Sequence, residues 1–517
     1  MPFLNPRRGN LRSGFDPEGG GVLICPDDDT IAGAARCAAV GKVSNSMRWL
    51  VVSPVLLLVC VINGCLVTPS SCGAAPPGGG SMHLELIRKY GSGPNRTRLE
   101  YVMEMVRHDQ LRAEMITERV AGRGRRRRAQ DVSFAMPMSS AAYTGVGQYF
   151  VRFQVGTPPQ QFLLLADTGS DLTWVKCRYR PCRRCRNPRG SGLFRAYQSS
   201  SFTAIRCLSQ LCKNTLPFSL TKCPTTESPC LYDYGYVDGS SAQGIFASEA
   251  ATMTLSNGSQ EKLWGVVVGC TSSSAGSSFR PADGVLGLGY SPSSFTALAA
   301  ARFGGKFSYC LVDHLSPKNA TDYLVFGENA FHGRDGGRRR YAELVLDKQL
   351  EPSYAVRVAG ISVGGNLLAI SPAVWDSSKG GGVILDSGTS LTMLVEPAYR
   401  AVMAALRQSL TRYPRVVMKP FEFCFRWRRR GPGAFDKAAV PPLVVHLAGA
   451  GGGLVRLVPP VKSYVIDVAD GVKCIGLLSS PWPGVSTIGN ILQQNHLWEF
   501  DIANKRLGFE PSSCSLK

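Results

Sequence analysis

An all-β protein of two related lobes with a cleft between them is the fold this sequence predicts, and three observations predict it. Short apolar runs separated by glycine- and proline-bearing turns dominate the chain from Gln148 onward, with few long helical patterns. An apolar run ending in a carboxylate occurs twice, far apart: Phe162 to Trp174 reads Phe-Leu-Leu-Leu-Ala-Asp-Thr-Gly-Ser-Asp-Leu-Thr-Trp, and Gly382 to Met393 reads Gly-Val-Ile-Leu-Asp-Ser-Gly-Thr-Ser-Leu-Thr-Met. A similar order of elements surrounds each copy, so each lobe supplies half of one site.

In both copies the carboxylate, Asp167 or Asp386, enters a turn. Gly169 and Gly388 let the backbone turn sharply, and Thr168, Ser170, Ser387 and Thr389 bring hydroxyls able to hold carboxylate oxygens. A lone aspartate before a glycine is ordinarily a turn residue; the second copy changes the reading. Two aspartates pressed together do not both ionise easily, so one keeps its proton while the other is charged. The charged one takes a proton from water and the protonated one polarises a peptide carbonyl, which is peptide hydrolysis in acid. A rival metalloprotease chemistry lacks its residues: there is no His-Glu-x-x-His among the six histidines.

With 517 residues, 44% of them apolar, the chain can build two or three folded units. Net charge is +21, and the basic excess persists beyond the N-terminal region. Of 17 cysteines, the last twelve lie between Cys177 and Cys514, an even set that points to disulfides and an oxidising compartment. Zinc is the rival reading for Cys177-x4-Cys182-x2-Cys185, but no histidine stands near it. No metal or other cofactor is expected.

Taken in order, residues 1–46 are glycine- and arginine-rich without periodicity and read as an unstructured extension, from an upstream start codon or as a plastid transit segment. Residues 47–75 have the order of a signal peptide: Met47-Arg-Trp, an apolar run from Leu50 to Ile62 broken by Pro54, then small residues. A signal anchor is the alternative. Residues 76–140 read as a propeptide, with an amphipathic helix over Leu99 to Val120 and a processing site near the basic run Arg125 to Arg128. The N-terminal lobe, 141–345, opens on a strand from Tyr149 to Val155 and carries a cysteine-dense insertion over 177–230. There follow Tyr236-Val-Asp238-Gly239-Ser240, whose Asp-Gly marks a hairpin, then Gly284-Val-Leu-Gly and a short helix from Ser294 to Phe303. The C-terminal lobe, 346–517, repeats the order, with a helix from Glu396 to Leu410 and Thr487-Ile-Gly-Asn490. Glycosylation sequons at Asn257 and Asn319 lean toward the secretory pathway, extracellular or vacuolar, with the plastid as alternative.

These residues resemble the pepsin-like aspartic proteases, in particular the plant nepenthesin-like branch. The resemblance covers about residues 131–517 and rests on the two Asp motifs, the segment from Tyr236 to Ser240, Gly284-Val-Leu-Gly, Thr487-Ile-Gly-Asn490 and the tail from Gln493 to Phe509. It implies a bilobal fold, water held between the aspartates, and a flap bearing Tyr236, with Trp174 its hydrogen-bonding neighbour. It also implies that Ser170 and Thr389 bond the outer carboxylate oxygens while Thr168 and Ser387 brace the loops. The disulfides it implies are Cys177–Cys182, Cys185–Cys270, Cys207–Cys230, Cys212–Cys223, Cys310–Cys514 and Cys424–Cys474. The expected partners are a peptide or protein substrate and the propeptide in cis, with a monomeric chain. Arginine clusters at 178–189, 338–340 and 426–430 read as a solvated face with weak polyanion binding. Competing readings on the same fold are a catalytically inactive inhibitor-type protein and a DNA-binding protein; one similar branch contains chloroplast nucleoid DNA-binding proteases.

Overall fold

The computed structural model describes residues 81–88, 97–125, 149–181, 192–216, 219, 223–235, 241–255, 257–275, 282–313, 322–328 and 339–514. All belong to one compact unit, Ala75–Lys517. The expected extension and signal peptide lie outside the described residues.

Two copies of one device position the site. In the first, strand β2 (Tyr149–Val155) forms a hairpin with β3 (Gln160–Asp167). Strand β5 (Gly284–Gly287) then lies parallel to β3, pairing Gly287 with Asp167, and antiparallel to β4 (Thr173–Arg178). In the second, β8 (Ser486–Gly489) lies parallel to β6 (Val383–Asp386), pairing Gly489 with Asp386, and antiparallel to β7 (Thr392–Val395). Such parallel strands are covered on both faces, which is why the chain writes them as continuous apolar runs. The repeated Leu-Thr also finds its reason here. Thr173 Oγ1 accepts from the Gly287 N–H at 3.3 Å, and Thr392 Oγ1 from the Gly489 N–H at 3.2 Å, locking each parallel pair beside its aspartate.

A shared antiparallel sheet joins the halves, in the order Arg340–Val345, Arg506–Pro511, His496–Asp501, Lys306–Cys310, Asp322–Phe326 and β1 (Met82–Arg88). Phe307 stacks on Phe500 within it, centroids 4.7 Å apart. The edge strand β1 comes from ahead of the lobes and also pairs with β2 through Leu86 and Val151.

Helix α1 (Arg98–Arg125) is longer than the predicted Leu99 to Val120. Its start is a capping box: the Glu100 N–H donates to Thr97 Oγ1 at 3.2 Å and the Thr97 N–H to Glu100 Oε2 at 2.9 Å. The short helix is Phe295–Arg302, with Ser294 outside it as N-cap, its Oγ accepting from the Ala297 N–H. The helix Glu396–Leu410 stands as predicted.

The disulfides correct part of the implied pairing. Cys310–Cys514 and Cys424–Cys474 form as implied, but Cys177 bonds Cys270, Cys207 bonds Cys223, and Cys212 bonds Cys230. Val175 pairs with Cys270 across neighbouring strands, which brings Cys177 within 4.9 Å of Cys270, Cα to Cα. The bridge between Arg206 and Pro229 sets Cys230 opposite Ile205, not opposite Cys207, so each takes its partner from the loop between them. Cys182 and Cys185 lie outside the described residues.

Candidate active site

Asp167 and Asp386 end β3 and β6 and meet at the boundary between the lobes, both buried. Their loops interlock. The Thr168 N–H donates to Ser387 Oγ at 3.1 Å, the Ser387 N–H to Thr168 Oγ1 at 2.8 Å, and Ser387 Oγ donates to Ala166 O. Each carboxylate is held alike. Asp167 Oδ2 accepts from Ser170 Oγ at 2.7 Å and Oδ1 from the Gly169 N–H at 3.0 Å. Asp386 Oδ2 accepts from Thr389 Oγ1 at 2.6 Å and Oδ1 from the Gly388 N–H at 2.9 Å. The glycines are required by close approach: a Cβ at Gly169 would lie 2.9 Å from Asp386 Oδ1, and one at Gly388 would run into Asp167 Oδ1.

A third charged side chain completes the site, and it comes from α1. Arg112 Nη2 donates to Asp167 Oδ1 at 2.5 Å and to Asp386 Oδ1 at 2.8 Å, while its Nε donates to Asp386 Oδ2. One nitrogen thus stands between the two inner carboxylate oxygens. Burial alone would lower the pKa of Arg112, but Asp167 and Asp386 more than reverse that and hold it above its ordinary value. One turn earlier, fully buried Asp109 accepts from the Ser390 N–H at 2.8 Å (Oδ1) and from the Leu391 N–H at 2.7 Å (Oδ2). Burial pushes its carboxyl up to about 7, against the pull of the two amide bonds; Asp386 adds to the rise and Arg112 opposes it.

The apolar side chains of α1 fix these two charges. Val102, Met105, Val106 and Ala113 pack with Leu391, Met393, Phe421, Ile466 and Val468 of the second half. Met115 packs with Phe150, Leu165, Leu172 and Trp174 of the first half, and Ile116 with Leu350, Ile384 and Val485. The helix therefore touches both lobes and covers both aspartates. Burying such side chains is worth about 1.5–3 kcal/mol each.

Other predicted residues are placed as follows. Trp174 is buried beside Tyr232 and Phe246. Tyr236, Asp238, Gly239 and Ser240 lie outside the described residues, between strands Leu231–Gly235 and Ser241–Thr254, which pair antiparallel. Asn257 sits exposed in a turn, its Oδ1 accepting from the Ser259 N–H and Oγ; Asn319 lies outside the described residues. Cys177 is taken by its disulfide and is not a zinc ligand. Arg428, Arg429 and Arg430 are exposed, whereas Arg339 is bound to Glu499 and Glu510, so that cluster is partly internal structure.

Sequence reasoning missed Arg112 and Asp109. The signal was present: Met105, Asp109, Arg112 and Ile116 share one helical face, so two charges interrupt the stripe that the amphipathic pattern assigns to burial.

Comparison with known proteins agrees with this geometry. Residues 149–328 match the family model described as Xylanase inhibitor N-terminal, and residues 353–511 the one described as Xylanase inhibitor C-terminal. Aspartyl protease family protein 2 of Arabidopsis thaliana is 33% identical, over 84% of this chain and 86% of its own. Aspartic proteinase nepenthesin-1 of Nepenthes gracilis is 32% identical, over 73% and 80%. Among solved structures, basic 7S globulin from soybean superposes with a TM-score of 0.54 at 20% identity, covering 72% of this chain and 94% of the globulin; that likeness speaks to fold alone. With its paired Asp loops and relatives of this similarity and coverage, the chain belongs to the pepsin-like aspartic proteases of plants.

Proposed function

We propose that this chain is an aspartic endopeptidase, active in acid and held latent by its own pro-segment until α1 leaves the cleft. The observation that carries the reading is the position of Arg112 Nη2 between Asp167 Oδ1 and Asp386 Oδ1, each carboxylate being held at its outer oxygen by a hydroxyl. With α1 gone, that position suits a water able to donate to one aspartate and attack a carbonyl polarised by the other. The same geometry accounts for latency: while Arg112 Nη2 fills the position between the aspartates, no water can take it. The pro-segment, secretory destination, extracellular or vacuolar, and monomeric state are part of this proposal.

The rival is a catalytically inactive binding protein, favoured by the xylanase-inhibitor family models and the seed-globulin likeness. Against it stands a dyad with both aspartates, all four hydroxyls and both glycines present. Peptide cleavage by the purified chain in acid, with and without a transition-state-analogue inhibitor, separates them. Inhibitor-sensitive cleavage that is absent from Asp167→Asn supports the protease; none from the acid-treated chain supports the binding protein.

A further inference from the structure

The stretch 411–440 carries eight basic side chains and two acidic ones, Glu422 and Asp436. Both acids already face a cation, Arg407 at 3.7 Å and Arg412 at 3.8 Å. Arg428, Arg429 and Arg430 stand exposed in a row, and among the described residues none of the three has a carboxylate partner. Their backbone is fixed. The strand Phe421–Arg426 leads into a loop closed on itself: the Arg428 N–H donates to Gly433 O at 2.9 Å, the Phe435 N–H to Arg428 O at 3.2 Å and the Ala434 N–H to Gly431 O at 3.0 Å. Gly431 and Gly433 take φ of +76° and +84°, the left-handed turn that favours glycine. At the base of the loop the Trp427 and Phe435 rings flank the Lys473 ammonium at 4.8 and 4.9 Å, and Asp467 holds that ammonium at 2.8 Å. Like charges repel one another, so a rigid loop that gathers three of them without a counter-charge presents them to an anion from outside. With the backbone already ordered, less entropy is lost when that anion binds.

We propose that the loop bearing Arg428, Arg429 and Arg430 is a docking surface for an acidic polysaccharide, a polymer with carboxylates along its length. Guanidinium forks match carboxylates two hydrogen bonds at a time. Nucleic acid fits less well. The loop's tryptophan is half-buried with Lys473 on its ring, which leaves no open platform for bases, and the loop presents no helix to a groove. Anionic lipid belongs to the cytoplasmic leaflet, whereas the destination proposed above is extracellular or vacuolar. The choice of polymer rests on that destination and is independent of proteolysis, since among the described residues none of the three arginines bonds to the aspartate loops.

The test is binding of the full-length chain to polygalacturonate, to the same polymer with its carboxylates methyl-esterified, and to single-stranded DNA, near neutral pH over a series of salt concentrations. Polygalacturonate is expected to bind and its ester is not. Arg428→Ser, Arg429→Ser and Arg430→Ser combined are expected to weaken binding at the lowest salt by about tenfold or more. They are also expected to flatten the slope of log K against log salt by roughly two to three, about 0.7–0.9 for each arginine, with an unchanged melting midpoint. The three Arg→Lys changes keep the charge and lose the fork, so their affinity is expected to fall between the two. Equal binding of the free and esterified polymers overturns the proposal, as does an unchanged affinity and salt slope in the Ser variant. Tighter binding of DNA than of polygalacturonate at matched salt overturns it too, and assigns the loop to nucleic acid instead.

Discussion

Arg112, Asp109 and the two dyad aspartates make one buried charge cluster, and each member has a distinct expected effect. Asp167→Asn or Asp386→Asn in the activated chain is expected to lower peptide cleavage by roughly 10²–10⁴-fold or more, with an unchanged melting midpoint, because neither carboxylate can serve as both base and acid. Normal turnover in either folded variant rules out the dyad. Asp109 carries its own pH signature. Burial under α1 raises its carboxyl to about 7; departure of the helix, as proposed, would expose it to water and return it to the ordinary carboxylate range. Docking thus favours its protonated form, and this contribution is present in acid and lost as pH rises through about 7. Protection of α1 from an added protease is therefore expected to fall as pH rises from the carboxylate range to about 7 in the native chain, and to fall less in Asp109→Asn. The opposite order contradicts the assignment.

At the scale of elements, α1 is held by packing against both lobes more than by its own propensity. Its capping box adds a local increment: Thr97→Ala is expected to loosen the helix by about 1 kcal/mol, read as modestly faster proteolysis of the segment with no change in the active chain. The Thr168–Ser387 brace belongs to the same scale. Replacing both hydroxyls, Thr168→Val with Ser387→Ala, is expected to lower kcat more than KM, because the bonds align the two loops and touch no substrate. These elements were unequally legible in the sequence. Strand β3, the second Asp loop and the helix Glu396–Leu410 could be read from periodicity and the doubled motif, since local pattern and burial agree there. The pairing Cys177–Cys270 could not, because it follows from strand register, which brings together residues 93 positions apart, and Cys212–Cys230 could not, because it depends on how the loop between Cys207 and Cys230 folds back. Arg112 was only partly legible: its charge interrupts the buried face of α1, but the two partners that give it a role come from distant strands and are not marked by local pattern.

For the whole molecule, the segment ahead of the lobes enters the fold twice, as edge strand β1 on the sheet joining the halves and as α1 across the cleft. On the proposed reading latency is thus part of the architecture; the Cys310–Cys514 bond closes the same shared sheet near its middle. The most direct test of the account compares the full-length chain with Arg112→Gln, following peptide cleavage as pH is lowered from neutral through the carboxylate range. Removing one partner of a buried ion pair costs about 3–5 kcal/mol, and here it leaves two carboxylates facing each other without their cation. The predicted result is that Arg112→Gln begins to cleave at a higher pH and with a shorter lag than the native chain, and that adding Asp167→Asn abolishes the cleavage. An unchanged onset and lag in a folded Arg112→Gln chain would contradict the account.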